Sequence, residues 1–158
     1  MSTSQSKIKY PFGFLYLKYK EDNLHAISFK RPEDFHEQSH NLDQLCQKEI
    51  TLYFDKKLKL FSIPLDLKQG TIFQRAVWKS LIKIPYGQTR SYKAISEIIK
   101  RPLAHRAVGN ANNKNPFPII IPCHRVIQNN GKLGGYAGGL KIKKHLLNLE
   151  KTTSLIKK

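Results

Sequence analysis

Apolar positions along the chain change texture near its middle. From Phe12 to Tyr19 and from Leu24 to Lys30, aromatic and branched residues crowd two short segments, with Glu21-Asp22-Asn23 between them. That arrangement predicts a β-hairpin. From Asn41 to Lys57 the apolar residues Leu42, Leu45, Cys46, Ile50, Tyr53 and Phe54 recur at helical spacing. Cys46 lies on this stripe and reads as a buried, inert thiol. A short strand is expected at Phe61 to Ile63, before Pro64.

Pro64 to Gly70 reads as a boundary, and a different pattern follows it. Thr71 and Gln74 have the spacing of a capping box. Phe73, Val77 and Leu81 line one face of the helix they open, widened by Ala76, Trp78 and Ile82, and Pro85-Tyr-Gly87 stops it. Ser91 caps a second helix carrying Tyr92, Ala94, Ile95, Ile98 and Ile99. After Arg101-Pro102 a third helix is expected from Leu103 to Asn112, ended by Asn115-Pro116. The run Phe117 to Pro122 reads as short, buried and extended, with its prolines keeping it out of a central strand. Asn129-Asn-Gly131 and Gly134-Gly135 mark a flexible loop. A last helix is expected from Leu140 to Glu150, then a frayed Lys-rich tail from Lys151 to Lys158.

Charge changes the picture. Lys and Arg number 28 against 11 Asp and Glu, a formal net charge of +17. Such a field favours polyanions, of which nucleic acid is the commonest soluble one. No apolar run is long enough to span a bilayer. The opening residues Met1 to Lys7 lack the apolar stretch of a signal peptide, so the expected location is the cytoplasm, or the nucleus in a eukaryote. The two cysteines, Cys46 and Cys123, cannot build a four-cysteine zinc site. His36, His40 and Cys46 match no standard ligand spacing, so no metal is expected.

The helices at Ser91–Ile99 and Leu103–Asn112, joined at Lys100-Arg-Pro102, have the layout of a helix-turn-helix. Leu103, Ala107 and Ala111 form the expected inward stripe of the second helix. Its opposite face carries Arg106, Gly109, Asn110 and Asn113, small or polar apart from one arginine. Such a face can press close to a groove; an ordinary helical hairpin with an alanine-rich seam is the alternative.

The sharpest local feature is Pro122-Cys123-His124-Arg125. A thiolate is the reactive form of cysteine, and neighbouring positive charge lowers a thiol's pKa. His124 can take the proton directly or through one water, and since sequence neighbours need not face each other, the water-bridged relay is favoured. Glu150, at the end of the last helix's inward face, is a candidate to hold the imidazole and favour its charged form. The alternatives are a core cysteine and a solvated helix-end carboxylate.

Ile121-Pro-Cys-His-Arg-Val126 resembles the active-site motif of the O-6-methylguanine-DNA methyltransferases. The resemblance extends in register through Phe73-Gln-x-x-Val-Trp78, Pro85-Tyr-Gly87, Ser91-Tyr92, Arg106-Ala-Val-Gly109, Asn115-Pro116, Gly134, Tyr136, Gly138-Gly-Leu140 and Glu150. It implies an α/β, ribonuclease-H-like domain over residues 1–68 and a mostly helical catalytic domain over 69–158 with a winged-helix, helix-turn-helix element. The implied activity is single-turnover transfer of an alkyl group from O-6-alkylguanine, or O-4-methylthymine, to Cys123. The resemblance further implies that His124 and Glu150 complete the relay, that Asn115 braces the turn before the cysteine, and that Tyr92 helps rotate the nucleotide and donates to the flipped base.

The same resemblance makes Arg106 the finger that enters the duplex. Tyr92, Ala107, Gly109, Asn110, Asn113 and Arg125 join it as contacts to double-stranded DNA, along the minor groove. Pro118, Val126, Gly134, Tyr136, Ala137 and Lys143 are the implied pocket wall. Ala137 stands where relatives often have serine, which leaves a backbone amide as donor to the departing oxygen. Asn112 stands where some relatives carry an apolar residue beside the gap. No cofactor and no obligate protein partner are implied. A monomer is expected, with cooperative self-association on DNA left open.

Overall fold

The computed structural model describes residues 3–156, with side chains described through Lys151. The chain divides into two compact units, one ending at Lys68 and the other beginning at Gln69.

In the first unit, β1 (Thr3–Tyr10), β2 (Gly13–Lys20) and β3 (Asn23–Ser28) form an antiparallel sheet in that order. The register sets Ile8 opposite Leu15 and Ser6 opposite Leu17. Leu15, Leu17 and Tyr19 of β2 alternate inward and are buried, as a half-buried strand requires. Helix α1 (Asp43–Phe54) packs on β1 and buries Cys46, Glu49, Ile50 and Tyr53. Burial pushes the Cys46 thiol up to about 11, as an inert core thiol should behave.

Two expectations change here. β1 was not foreseen, because its alternation is carried mainly by Ser6 and Ile8. No strand forms at Phe61 to Ile63. The ladder contact lies at Leu65, with the Leu24 amide donating to Pro64 O and Asp66 N to Leu24 O.

In the second unit α2 (Ile72–Ile82) starts with the expected capping box: Thr71 Oγ1 accepts from Gln74 N, and Gln74 Oε1 from Thr71 N. β4 (Arg90–Ser91) leads into α3 (Tyr92–Ile98), capped by Ser91. α4 (His105–Asn113) packs against both α2 and α3, and Trp78 Nε1 donates to Ala111 O at 2.8 Å. A 3-10 turn (Cys123–Arg125) runs into β5 (Val126–Ile127), which pairs in parallel with β4. α5 (Leu140–Ile156) closes the unit and continues past the expected stop at Glu150. Lys157 and Lys158 of the expected frayed tail lie outside the described residues.

Two more corrections fall here. α4 begins at His105, so Leu103 lies before the helix, and of the expected stripe only Ala111 is buried within it. Val108, Ala111 and Asn112 point inward, whereas Leu103 is 93% exposed and Ala107 is exposed. The run from Phe117 to Pro122 is buried as expected, yet it turns: Ile121 N donates to Phe117 O. Ile119 sits at φ 76°, a left-handed conformation that costs a β-branched residue about 1–3 kcal/mol.

Candidate active site and nucleic-acid interface

Asn115 holds both ends of that strained turn. Its Oδ1 accepts from Phe117 N at 2.9 Å and its Nδ2 donates to Ile121 O at 2.8 Å. Its side-chain amide also acts on Cys123, drawing the thiol's pKa downward. The turn delivers Cys123 to the start of the 3-10 segment, where its carbonyl accepts from Asn112 Nδ2 at 3.2 Å. Asn112 is therefore buried against the Cys123 backbone.

Cys123 is 3% exposed. Burial pushes its thiol up to about 11, while the Asn115 amide and the charge of Lys143 pull the other way. The expected low thiol pKa is thus absent in the resting protein, because desolvation outweighs the nearby charge.

His124 is fully buried, and its Nε2 lies 2.8 Å from Glu150 Oε2. Burial lowers the imidazole's pKa, the Glu150 bond and charge raise it, and Arg125 and Lys143 lower it again, for a net downward shift. The charged form expected from Glu150 is therefore disfavoured at rest. For Glu150, burial alone would raise the carboxyl, but His124 and Arg125 overcome this and hold it at about 2. An ionised carboxylate accepts, so the imidazole carries its proton on Nε2. Nδ1 has no hydrogen-bond partner among the described residues.

Arg125 is the clearest departure from expectation. It is 6% exposed, and its Nε and Nη2 reach the two oxygens of Glu150 at 2.8 and 3.0 Å. A fork matched to a carboxylate explains the burial, and it removes Arg125 from the surface where phosphates would be met. Lys143 is fully buried on α5, with Nζ donating to Val126 O at 2.7 Å and Gly135 O at 3.1 Å. Burial lowers its pKa to about 8.

An open cleft of about 580 Å³ lies between α4 and the 128–135 loop. Tyr92, Lys93, His105, Arg106, Gly109, Asn110 and Asn113 form one side, and Gln128, Asn129, Asn130, Gly134 and Gly135 the other. Of the expected DNA contacts, Tyr92, Arg106, Gly109, Asn110 and Asn113 meet here, and Ala107 is exposed on the same helix. Lys93, His105 and the side-chain amides of Gln128, Asn129 and Asn130 join them, although the sequence pattern marks Asn129-Asn130 only as a flexible segment.

Of the expected pocket wall, Gly134 lines the cleft. Pro118, Val126 and Lys143 are buried, Tyr136 is half-buried and Ala137 is exposed. Tyr92 links cleft and sulfur: burial raises its phenol pKa, and Cys123 raises it further.

Charge is divided unevenly. Residues 69–158 carry 17 of the 28 Lys and Arg but only Glu97 and Glu150 of the 11 acidic residues. Among the described residues, no three His, Cys, Asp or Glu side chains group to hold a metal, and no helix is long and apolar enough to cross a membrane.

Fold and site together define a basic, helix-turn-helix protein with a cysteine set beside a buried histidine–glutamate pair. Residues 72–152 match the DNA binding domain of 6-O-methylguanine DNA methyltransferase, and residues 5–67 match its ribonuclease-like domain. The chain belongs to the 6-O-methylguanine DNA methyltransferase family.

The methylated-DNA–protein-cysteine methyltransferase of Methanosarcina barkeri is 45% identical over 150 residues, covering 90% of this chain and 94% of that protein. The constitutive Bacillus subtilis protein of the same name is 41% identical over 153 residues, covering 89% and 91%. The crystal structure of Mycobacterium tuberculosis OGT in complex with DNA superimposes with a TM-score of 0.85 at 41% identity, covering 95% of this chain and 94% of that one.

Proposed function

We propose that this protein repairs double-stranded DNA by taking an alkyl group from the O-6 atom of guanine and keeping it on Cys123, once per molecule. The observation that carries this reading is a nearly sealed thiol next to a buried His124–Glu150 pair, beside a cleft lined by Arg106 and Tyr92. The family membership and the names of the similar proteins support it.

The target oxygen lies inside the base stack, so the nucleotide must be extruded. Arg106, exposed on α4, takes the vacated space from the minor groove, with Ala107, Gly109, Asn110 and Asn113 alongside. The extruded base passes the Tyr92–Gly134 wall to reach the sulfur. Nδ1 of His124 receives the thiol proton through a water. The thiolate then attacks the alkyl carbon in line, the carbon–oxygen bond breaks, and its electron pair leaves with guanine. Guanine gains one proton for the one the thiol gives up. The thioether is not readily hydrolysed, so the protein is spent. DNA donates the group, and no cofactor takes part.

The reading places the protein with the genome: in the cytoplasm, or in the nucleus of a cell that has one. It acts as a monomer on each lesion, and the same chemistry extends to O-4-methylthymine.

Incubation with duplex DNA containing O-6-methylguanine tests the proposal. The expected result is a gain of one methyl on the peptide holding Cys123, in a stoichiometric burst that Cys123→Ala abolishes while retaining DNA affinity. An unmodified cysteine in protein saturated with that DNA would leave a lesion binder without chemistry.

A further inference from the structure

Arg125 has a partner for each nitrogen of its guanidinium. Nε and Nη2 grip the two oxygens of Glu150, and Nη1 donates to Ile84 O at 2.8 Å. The guanidinium carbon lies 5.6 Å from the centre of the Tyr86 ring. The Gly87 amide adds a longer contact to Glu150 Oε1 at 3.4 Å. The plane of the carboxylate is therefore fixed from three sides before His124 is considered.

We propose that Arg125 is a positioning residue for alkyl transfer, acting through Glu150 to keep His124 a neutral base with its proton on Nε2 and Nδ1 free to accept. The proposal rests on His124 being the base that takes the thiol proton.

The physical reason is charge balance in a place without solvent. A buried carboxylate paired only with an imidazole draws a second proton onto it, and the resulting imidazolium cannot accept the thiol's proton. Arg125 cancels that pull by supplying a permanent positive charge to the same carboxylate. The charged and titratable groups around the imidazole are Glu150 and Lys143 from α5 and Cys123 and Arg125 from its own turn. Tyr92 of α3 acts on Cys123 and is not among the groups acting on His124. Lys143 works in the same direction as Arg125, but its Nζ bonds backbone carbonyls and not the carboxylate.

Three measurements on Arg125→Met and Arg125→Lys test this: the single-turnover transfer rate against pH, the His124 titration by NMR, and affinity for undamaged duplex. In Arg125→Met the acid limb of the rate and the His124 midpoint should both rise by about one pH unit, a tenfold loss on that limb, with DNA affinity unchanged. Arg125→Lys keeps the charge without the fork. It should return the midpoint toward wild type while the rate stays several-fold low.

A rate lowered equally at every pH, with the midpoint unmoved, would make Arg125 merely structural. A fall in DNA affinity with an unmoved profile would make it a phosphate contact. If Arg125→Met does not fold, Arg125→Lys decides alone, and wild-type rate and profile there would overturn the proposal. Wild-type protein that never alkylates Cys123 would instead overturn the underlying reading of the site.

Discussion

The hydroxyl end of Tyr92 closes against Gly134: a β-carbon at position 134 would begin 2.8 Å from its oxygen and 3.0 Å from Cε2. Gly134 also sits at φ 72°, where a side chain is strained whatever the space. Tyr92 and Gly134 are thus in contact within the lining of the cleft.

Gly134→Ala should therefore cost about 1–2 kcal/mol in folding from backbone strain. It should also slow transfer by more than that stability loss accounts for, because Tyr92 must shift. Thermal melting and single-turnover kinetics on the same samples check this. A variant with wild-type kinetics would show that Tyr92 does not gate the sulfur.

Arg106 projects from the exposed face of α4 into the cleft. Arg106→Ala should reduce repair of duplex DNA by about tenfold or more, since losing 1.4 kcal/mol of support for the extruded state already gives that factor. Reaction with the free modified base should hardly change. Equal losses on both substrates would remove the finger role.

Glu150 is held at about 2 against an ordinary 4.5. A carboxyl depressed in the folded state contributes stability that is present above its unfolded pKa and lost as pH falls through the folded one. Unfolding free energy should therefore drop between about pH 4.5 and 2. Glu150→Gln should flatten that window while lowering stability near neutrality by about 3–5 kcal/mol, because Arg125 then lies buried without its counter-charge. Denaturant titrations across pH measure both effects.

The capping box at Thr71 satisfies two backbone donors at the start of α2, Thr71 N and Gln74 N, with side-chain oxygens as acceptors. Thr71→Ala should cost about 1 kcal/mol, about 2–4 °C in melting temperature for a chain this size, and leave transfer kinetics alone. Calorimetry and the repair assay together check the separation.

The elements legible in the chain were those with strong local signals. Thr71 with Gln74, Ser91, Pro85-Tyr-Gly87 and the apolar faces of α2 and α3 placed three boundaries and two helices correctly. β1 was hidden because a strand with Gln5, Lys7 and Lys9 on its outer positions offers little apolar alternation to read. The phase of α4 failed because Leu103 looks like a core residue, yet it lies in the turn before the helix, where nothing covers it.

Within the candidate site, the pairing of His124 with Glu150 next to Cys123 was legible from residue type and helix face. The fate of Arg125 was not: an arginine beside a candidate nucleophile in a basic chain reads as a phosphate contact. Only the fold shows that its fork meets Glu150, 25 residues away in sequence. The left-handed Ile119 is equally silent, because nothing in a Pro-Ile-Ile-Ile-Pro run marks a reversal.

The β4–β5 pair is only two residues long, with Arg90 opposite Val126 and Ser91 opposite Ile127. It nevertheless joins the residue that caps α3 to the backbone a few residues after Cys123. Lesion search and chemistry therefore share one mechanical part and are not interchangeable modules. Grafting the α3–α4 hairpin of another DNA-binding protein onto this scaffold would transplant affinity and, by moving Ser91, unseat the sulfur.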